Sequence, residues 1–190
     1  MRKWMVAALT GTALTLAALP AQAQDTWKRY VVKELGISFM APGDVKAELG
    51  TFRGAIAGPR QTMVFKSAAN NIEYKVTAMS FLQAQAEGAT ILGERTYMFQ
   101  ENKTIVTDTF ALVEPGKDAV YGRKMVVDLA DDKGRATGAF FFTKGKLITL
   151  EATATGSGTQ SSDPARFVDS IAFSPARAAG ATELQPPKLD

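Results

Sequence analysis

The sequence predicts an α+β fold, a single central, mostly antiparallel sheet covered by helices on both faces. Three observations predict it. Period-two alternation of apolar and polar residues recurs from Trp27 to Thr155, the pattern of half-buried strands. Phe140, Phe141 and Phe142 are consecutive in one such stretch, so large apolar side chains leave both faces of the sheet and each face needs a cover. Two segments carry apolar residues at helical spacing and are the available covers. A chain of 190 residues with 46% hydrophobic and 22% charged content suits one domain with a real core.

Residues 1–23 read as an export signal. Arg2 and Lys3 form a basic start, Trp4 to Leu19 an apolar run, Pro20 a break, and Ala21-Gln22-Ala23 an A-x-A cleavage site. The run is short for a membrane span, and no basic stop-transfer flank follows it. The expectation is cleavage after Ala23 and a periplasmic or secreted protein starting at Gln24, with no membrane span. Arg2 and Lys3 supply two of the three net positive charges, so the remainder is near neutral at +1 and does not read as a nucleic-acid binder.

The elements follow in order. Trp27 to Lys33 and Ile37 to Ala41 read as strands around Glu34-Leu35-Gly36, with Pro42-Gly43-Asp44 as a turn. Arg60 to Ser67 is a strand with Met63 and Phe65 on one face. Asn70-Asn71 signals a turn, after which Ile72, Tyr74, Val76 and Ala78 alternate with polar residues. Residues 84–100 place Ala84, Gly88, Ile91, Leu92, Met98 and Phe99 near one helical stripe. Gly88, Gly93 and the threonines keep two short strands open as the competing reading. Thr104 to Val113 alternates less cleanly. Ala119 to Leu129, Arg135 to Thr143 and Lys146 to Thr155 follow as three consecutive strands. Asp163-Pro164 reads as an N-cap with proline at the first helical position, opening a helix over 163–171 with Phe167, Val168 and Ile171 on one face. The domain therefore spans 24–173, and the Ala/Pro-rich stretch 174–190 is expected to be a mobile tail.

Turn positions set an expected register. With Ala130 opposite Arg135 and Thr143 opposite Lys146, one face collects Lys124, Phe141 and Ile148, then Val126, Ala139 and Leu150. The other collects Arg123, Phe142 and Leu147, then Met125, Phe140 and Thr149.

In this order of elements the chain resembles the PsbP-like superfamily, an α/β/α sandwich with a central antiparallel sheet, which also includes small Ran-binding nuclear-import factors. The resemblance rests on Trp27…Gly36-Ile37-Ser38-Phe39…Ala41-Pro42, Tyr121-Gly122-Arg123, Phe140 to Phe142, Leu147-Ile148-Thr149-Leu150 and Ala165-Arg166-Phe167-Val168-Asp169-Ser170-Ile171. It suggests an exported bacterial branch. It implies a non-enzymatic accessory factor that binds other proteins, sometimes with metal or small-molecule involvement, but offers no partner site to transfer.

The composition excludes whole chemistries. No cysteine means no disulfide, thiolate nucleophile or iron–sulfur cluster, and no histidine removes the Ser–His–Asp triad and the common imidazole metal ligands. No catalytic, metal or cofactor site is expected, and the protein is not expected to be an enzyme. Asp128, Asp131, Asp132 and Gly134 lack the EF-hand spacing and read as a polar hairpin turn. Four residues are candidates for binding a ligand or partner. Tyr121 and Arg123 share a face with Phe142, an aromatic beside a guanidinium; Lys124 completes that stretch of presumed sheet edge. Glu151, placed near Val127 and Gly138, is either a covered carboxylate with a raised pKa or one solvated or paired with a lysine. The expected function is an accessory or binding protein acting through contacts with an envelope protein. The alternatives are a small-ligand carrier with an apolar pocket between sheet and helix, or a hydrolase with two carboxylates about 5–10 Å apart.

Overall fold

The computed structural model describes residues 27–55, 58–81, 87–114, 119–173 and 180–187. The expected signal segment lies outside the described residues. In chain order the elements are β1 (Trp27–Val32), β2 (Ile37–Pro42), β3 (Lys46–Gly54), β4 (Gly58–Ala69), β5 (Ile72–Ser80), α1 (Gly88–Gln100), β6 (Thr104–Val113), β7 (Val120–Asp128), β8 (Arg135–Thr143), β9 (Lys146–Ala154), α2 (Asp163–Asp169) and β10 (Thr182–Glu183). Seven strands form a central sheet in the order β3-β4-β5-β9-β8-β7-β6, every neighbouring pair antiparallel.

Alternation sorts the side chains onto two faces. On one, Phe65, Ile72, Tyr74, Val76, Phe141, Ile148, Leu150 and Ala152 are buried in a single core with Phe167, Val168 and Ile171 of the α2 region. On the other, Phe140, Met125 and Val127 pack with Phe99 of α1, and Leu147 and Met79 with Ile91. Phe142 is half-buried on that second side. Both faces of the Phe140–Phe142 strand are therefore covered, as the run of phenylalanines demands.

The covers differ from the expectation. The first face is not covered by a helix alone: a second, three-stranded sheet, β10-β1-β2, lies beside α2 and contributes Tyr30, Ile37 and Phe39 to the same core. The reason is length. Seven helical residues span about 10 Å, too little to roof a seven-stranded sheet. Phe167 joins the layers, its ring edge-on to Tyr74 at 5.1 Å and to Phe39 at 6.4 Å.

The stretch expected to be a mobile tail is docked over residues 180–187. Thr182 and Glu183 pair in parallel with Tyr30 and Val31, the Leu184 amide donates to the Val31 carbonyl, and Lys33 bridges Glu183 at 2.5 Å. Leu184 packs on the core, so one apolar side chain and an open strand edge anchor a segment that has no periodicity of its own.

Three further differences are local. The β8–β9 hairpin has the expected register, Thr143 opposite Lys146, but β7–β8 is displaced by two residues, with Asp128 opposite Arg135. The loop between them is longer than the turn assumed, and it holds Asp131 and Asp132 at φ 58° and 52°. A two-residue slip leaves every side chain on its expected face. The strand β3 carries no expectation, because it is an exposed edge strand with little alternation to reveal it. The α2 helix starts at Asp163 with Ser162, not Asp163, in the N-cap position, and the Ser161 hydroxyl accepts from the Asp163 amide at 3.1 Å, whereas the helix expected near 84–100 is present as α1.

Candidate functional site

Strand order separates the four candidate residues. Tyr121, Arg123 and Lys124 lie on β7, which is one strand in from the edge; the edge itself is β6. Lys124 points to the opposite face from Tyr121 and Arg123. Its Nζ bridges both carboxylate oxygens of Asp169 at 2.6 and 2.7 Å, tying the sheet to the end of α2. Lys124 thus belongs to the packing of that face and not to the surface formed by the other two.

Tyr121 is 69% exposed and sits opposite Leu112 of β6, while Arg123 sits opposite Phe110. Arg123 forms a forked pair with the Asp108 carboxylate, its Nε at 3.1 Å. Phe110 is 93% exposed and Leu112 is 52% exposed. Phe110, Leu112 and Tyr121 therefore make one apolar strip on the same side of two adjacent strands, with the Arg123–Asp108 pair at its end. The sequence reading missed Phe110 and Leu112 because it took β7 for the edge. Their signal was the weak alternation of Thr104 to Val113, which is what a strand exposed on both faces looks like.

Among the described residues the outer edge of β6 is also an open row of backbone donors and acceptors, since only β7 pairs with it there. The opposite edge strand, β3, is guarded by Lys46, Glu48 and Arg53, whereas β6 carries Asp108 as its one charge, already paired. Charged side chains are the usual protection against strand addition, and β6 lacks it.

Glu151 stands apart from that strip. It is buried, with 9% exposure, opposite Lys75 of β5 and Gly138 of β8. The Arg95 guanidinium, from α1, bonds its Oε1, Lys75 Nζ lies 3.3 Å from Oε2, and the Thr149 hydroxyl donates at 3.1 Å. Burial pushes the Glu151 carboxyl up, but the attraction and hydrogen bonds of Arg95 and Lys75 outweigh it and hold the pKa below the ordinary value of 4.5. Of the two readings of Glu151, the carboxylate with a partner lysine is the one that fits, with an arginine added. Arg95 is itself fixed over the Phe140 ring at 5.4 Å. Gly138 makes room for this layer, because a Cβ there would lie 2.5 Å from the Phe140 ring and 3.0 Å from that of Phe99. In the sequence Lys75 is just one of the polar residues alternating along this strand; only the pairing of β5 with β9, a long-range contact no local pattern shows, brings it to Glu151.

Lys103, just past α1, donates to the Phe99 carbonyl and sits 5.1 Å from the Phe99 ring. Burial lowers its pKa, Glu151 opposes that, and Arg95 and Lys75 add to it. In the β7–β8 loop, Asp128 is bound by Arg135 at 2.7 Å and Asp131 by Lys133 at 3.0 Å. Among the described residues no helix is long and apolar enough to cross a membrane.

No protein-family model matches the chain, and no curated protein sequence matches it. Among solved structures, the chain is similar to the solution structure of cyanobacterial PsbP from Synechocystis sp. PCC 6803. The match has a TM-score of 0.49 and 15% sequence identity, and covers 83% of this chain and 98% of that one.

Proposed function

We propose that the protein is an exported, non-catalytic accessory protein that works by binding an envelope protein along the β6 edge. The observation that carries this reading is the strip of Phe110, Leu112 and Tyr121 beside an open strand edge whose one charge, Asp108, is paired with Arg123. Exposed aromatic residues with a neighbouring arginine are the composition of binding hot spots, and an open edge offers main-chain hydrogen bonds to an extended segment of a partner. The signal-like residues 1–23 support export, and the missing histidine and cysteine support a role without catalysis. Ionised Glu151, neutralised on both oxygens, is engaged in holding α1 to the sheet and is not poised to give up a proton.

The test is a retention experiment with the immobilised protein and envelope extract, comparing the parent with a Phe110→Ala/Tyr121→Ala variant. Each hot-spot truncation removes about 2 kcal/mol, so the pair should weaken retention of the same partner at least a hundredfold. Because both side chains are exposed, the melting temperature should stay within about 3 °C of the parent. Equal retention by the variant would place the binding surface elsewhere.

A further inference from the structure

On the face that carries α1, the helix lies over β7 and β8 and leaves the β3–β5 part of the sheet open. A cleft of about 410 Å³ runs there, between these strands and α1, within the range of small-molecule sites of about 300–1,000 Å³. Its floor is apolar, with Phe52, Val64 and Met79 buried and Met98 reaching in from α1. Its walls carry Lys66, Lys75 and Arg95 against the Glu48 carboxylate, with Glu151 beneath. Glu48 is taken by Lys66 at 2.5 Å, and Glu151 is shared by Lys75 and Arg95. Cations therefore outnumber carboxylates around an apolar floor.

We propose that this cleft binds an amphipathic organic anion, a carboxylate with an aliphatic body. Arg95 is the anchor. Glu151 and the Phe140 ring already fix its guanidinium, so binding an anion on its remaining N–H groups costs little further side-chain ordering. Lys75 is 34% exposed at its side chain and keeps donors free of Glu151 for the same carboxylate. The aliphatic body would lie along Phe52, Val64, Met79 and Met98.

The experiment is calorimetric titration of the purified protein with sodium decanoate, with decyltrimethylammonium as a probe of equal chain length and opposite charge. Decanoate should bind with one-to-one stoichiometry, at least tenfold tighter than the cation. A Lys66→Ala/Lys75→Met variant, changed at two partly exposed positions, should bind decanoate about tenfold more weakly, at about 0.7 kcal/mol per exposed charge. Its melting temperature is measured alongside, and a Lys66→Ala single variant, which leaves Glu151 with both its partners, has an expected loss of about threefold. Equal affinity for the two amphiphiles, or unchanged decanoate affinity in both variants, would overturn the proposal. The β6 strip is on other strands, so retention of a protein partner reads out separately.

Discussion

A Glu151→Gln variant is expected to melt on the order of 10 °C below the parent at pH 7, a loss of about 3–5 kcal/mol. The substitution keeps the shape and removes the charge. Arg95, with 13% side-chain exposure, is then left in a largely dry layer with no counter-ion, and Lys75 loses its partner as well. Breaking one side of a buried pair costs far more than the pair contributes net, because the other charge stays desolvated. A Glu151→Leu/Arg95→Met variant, which removes both charges, should therefore recover most of the loss. If Glu151→Gln melts with the parent, the network is solvated and the burial argument fails. The same network sets an acid limit. The carboxyl titrates lower in the folded chain than its ordinary 4.5, so the unfolded chain takes the proton first. Its contribution is complete above about pH 5 and is lost as pH falls through the folded value. Thermal melts of the parent should fall below about pH 4.5, with a shallower acid limb in Glu151→Gln.

Phe167→Ala is the second large effect, with an expected cost of about 3–5 kcal/mol. Its ring is 1% exposed and touches both layers, Tyr74 of the central sheet and Phe39 of the small one. A cavity there cannot collapse without moving α2, which is held in place by buried Val168, by Lys124 on Asp169 and by the Met40 amide donating to the Ser170 hydroxyl. Hydrogen exchange should speed up in β1, β2 and α2 while the amides of β8 and β9 stay slow. Uniform acceleration across the central sheet would mean that the small sheet and α2 are not a separable cover.

The elements that bury one face are the ones legible in the sequence. Ile72, Tyr74, Val76 and Ala78 alternate because one side of β5 packs under α2 and the other, carrying Lys75 and Thr77, faces the cleft beside α1, and the pattern writes that contrast into the chain. Phe140 to Phe142 announce a two-sided cover for the same reason. Strand β3 and the small sheet were not legible: β3 is an edge with little contrast, and β1–β2 carries the same alternation whether it joins the central sheet or packs across it. The candidate site was half legible. Tyr121 and Arg123 were found from composition and Glu151 from its covered face, and alternation alone put Lys124 on the other face, but strand order decides that Phe110 and Leu112 join the first two and that Lys75 and Arg95 close on Glu151. Strand order is a property of long-range pairing, and no local spacing encodes it.

The central claim is that β6 is the docking edge. The most direct measurement places a photo-cross-linking residue at position 110 on β6, and separately at position 49 on the opposite edge strand β3, in protein exported by living cells. Leu49 is 42% exposed, so both probes reach solvent. The account predicts a discrete protein adduct from position 110 and none from position 49, and the adduct should disappear when Tyr121→Ala is added. Adducts of equal yield from both positions, or none from position 110, would contradict it.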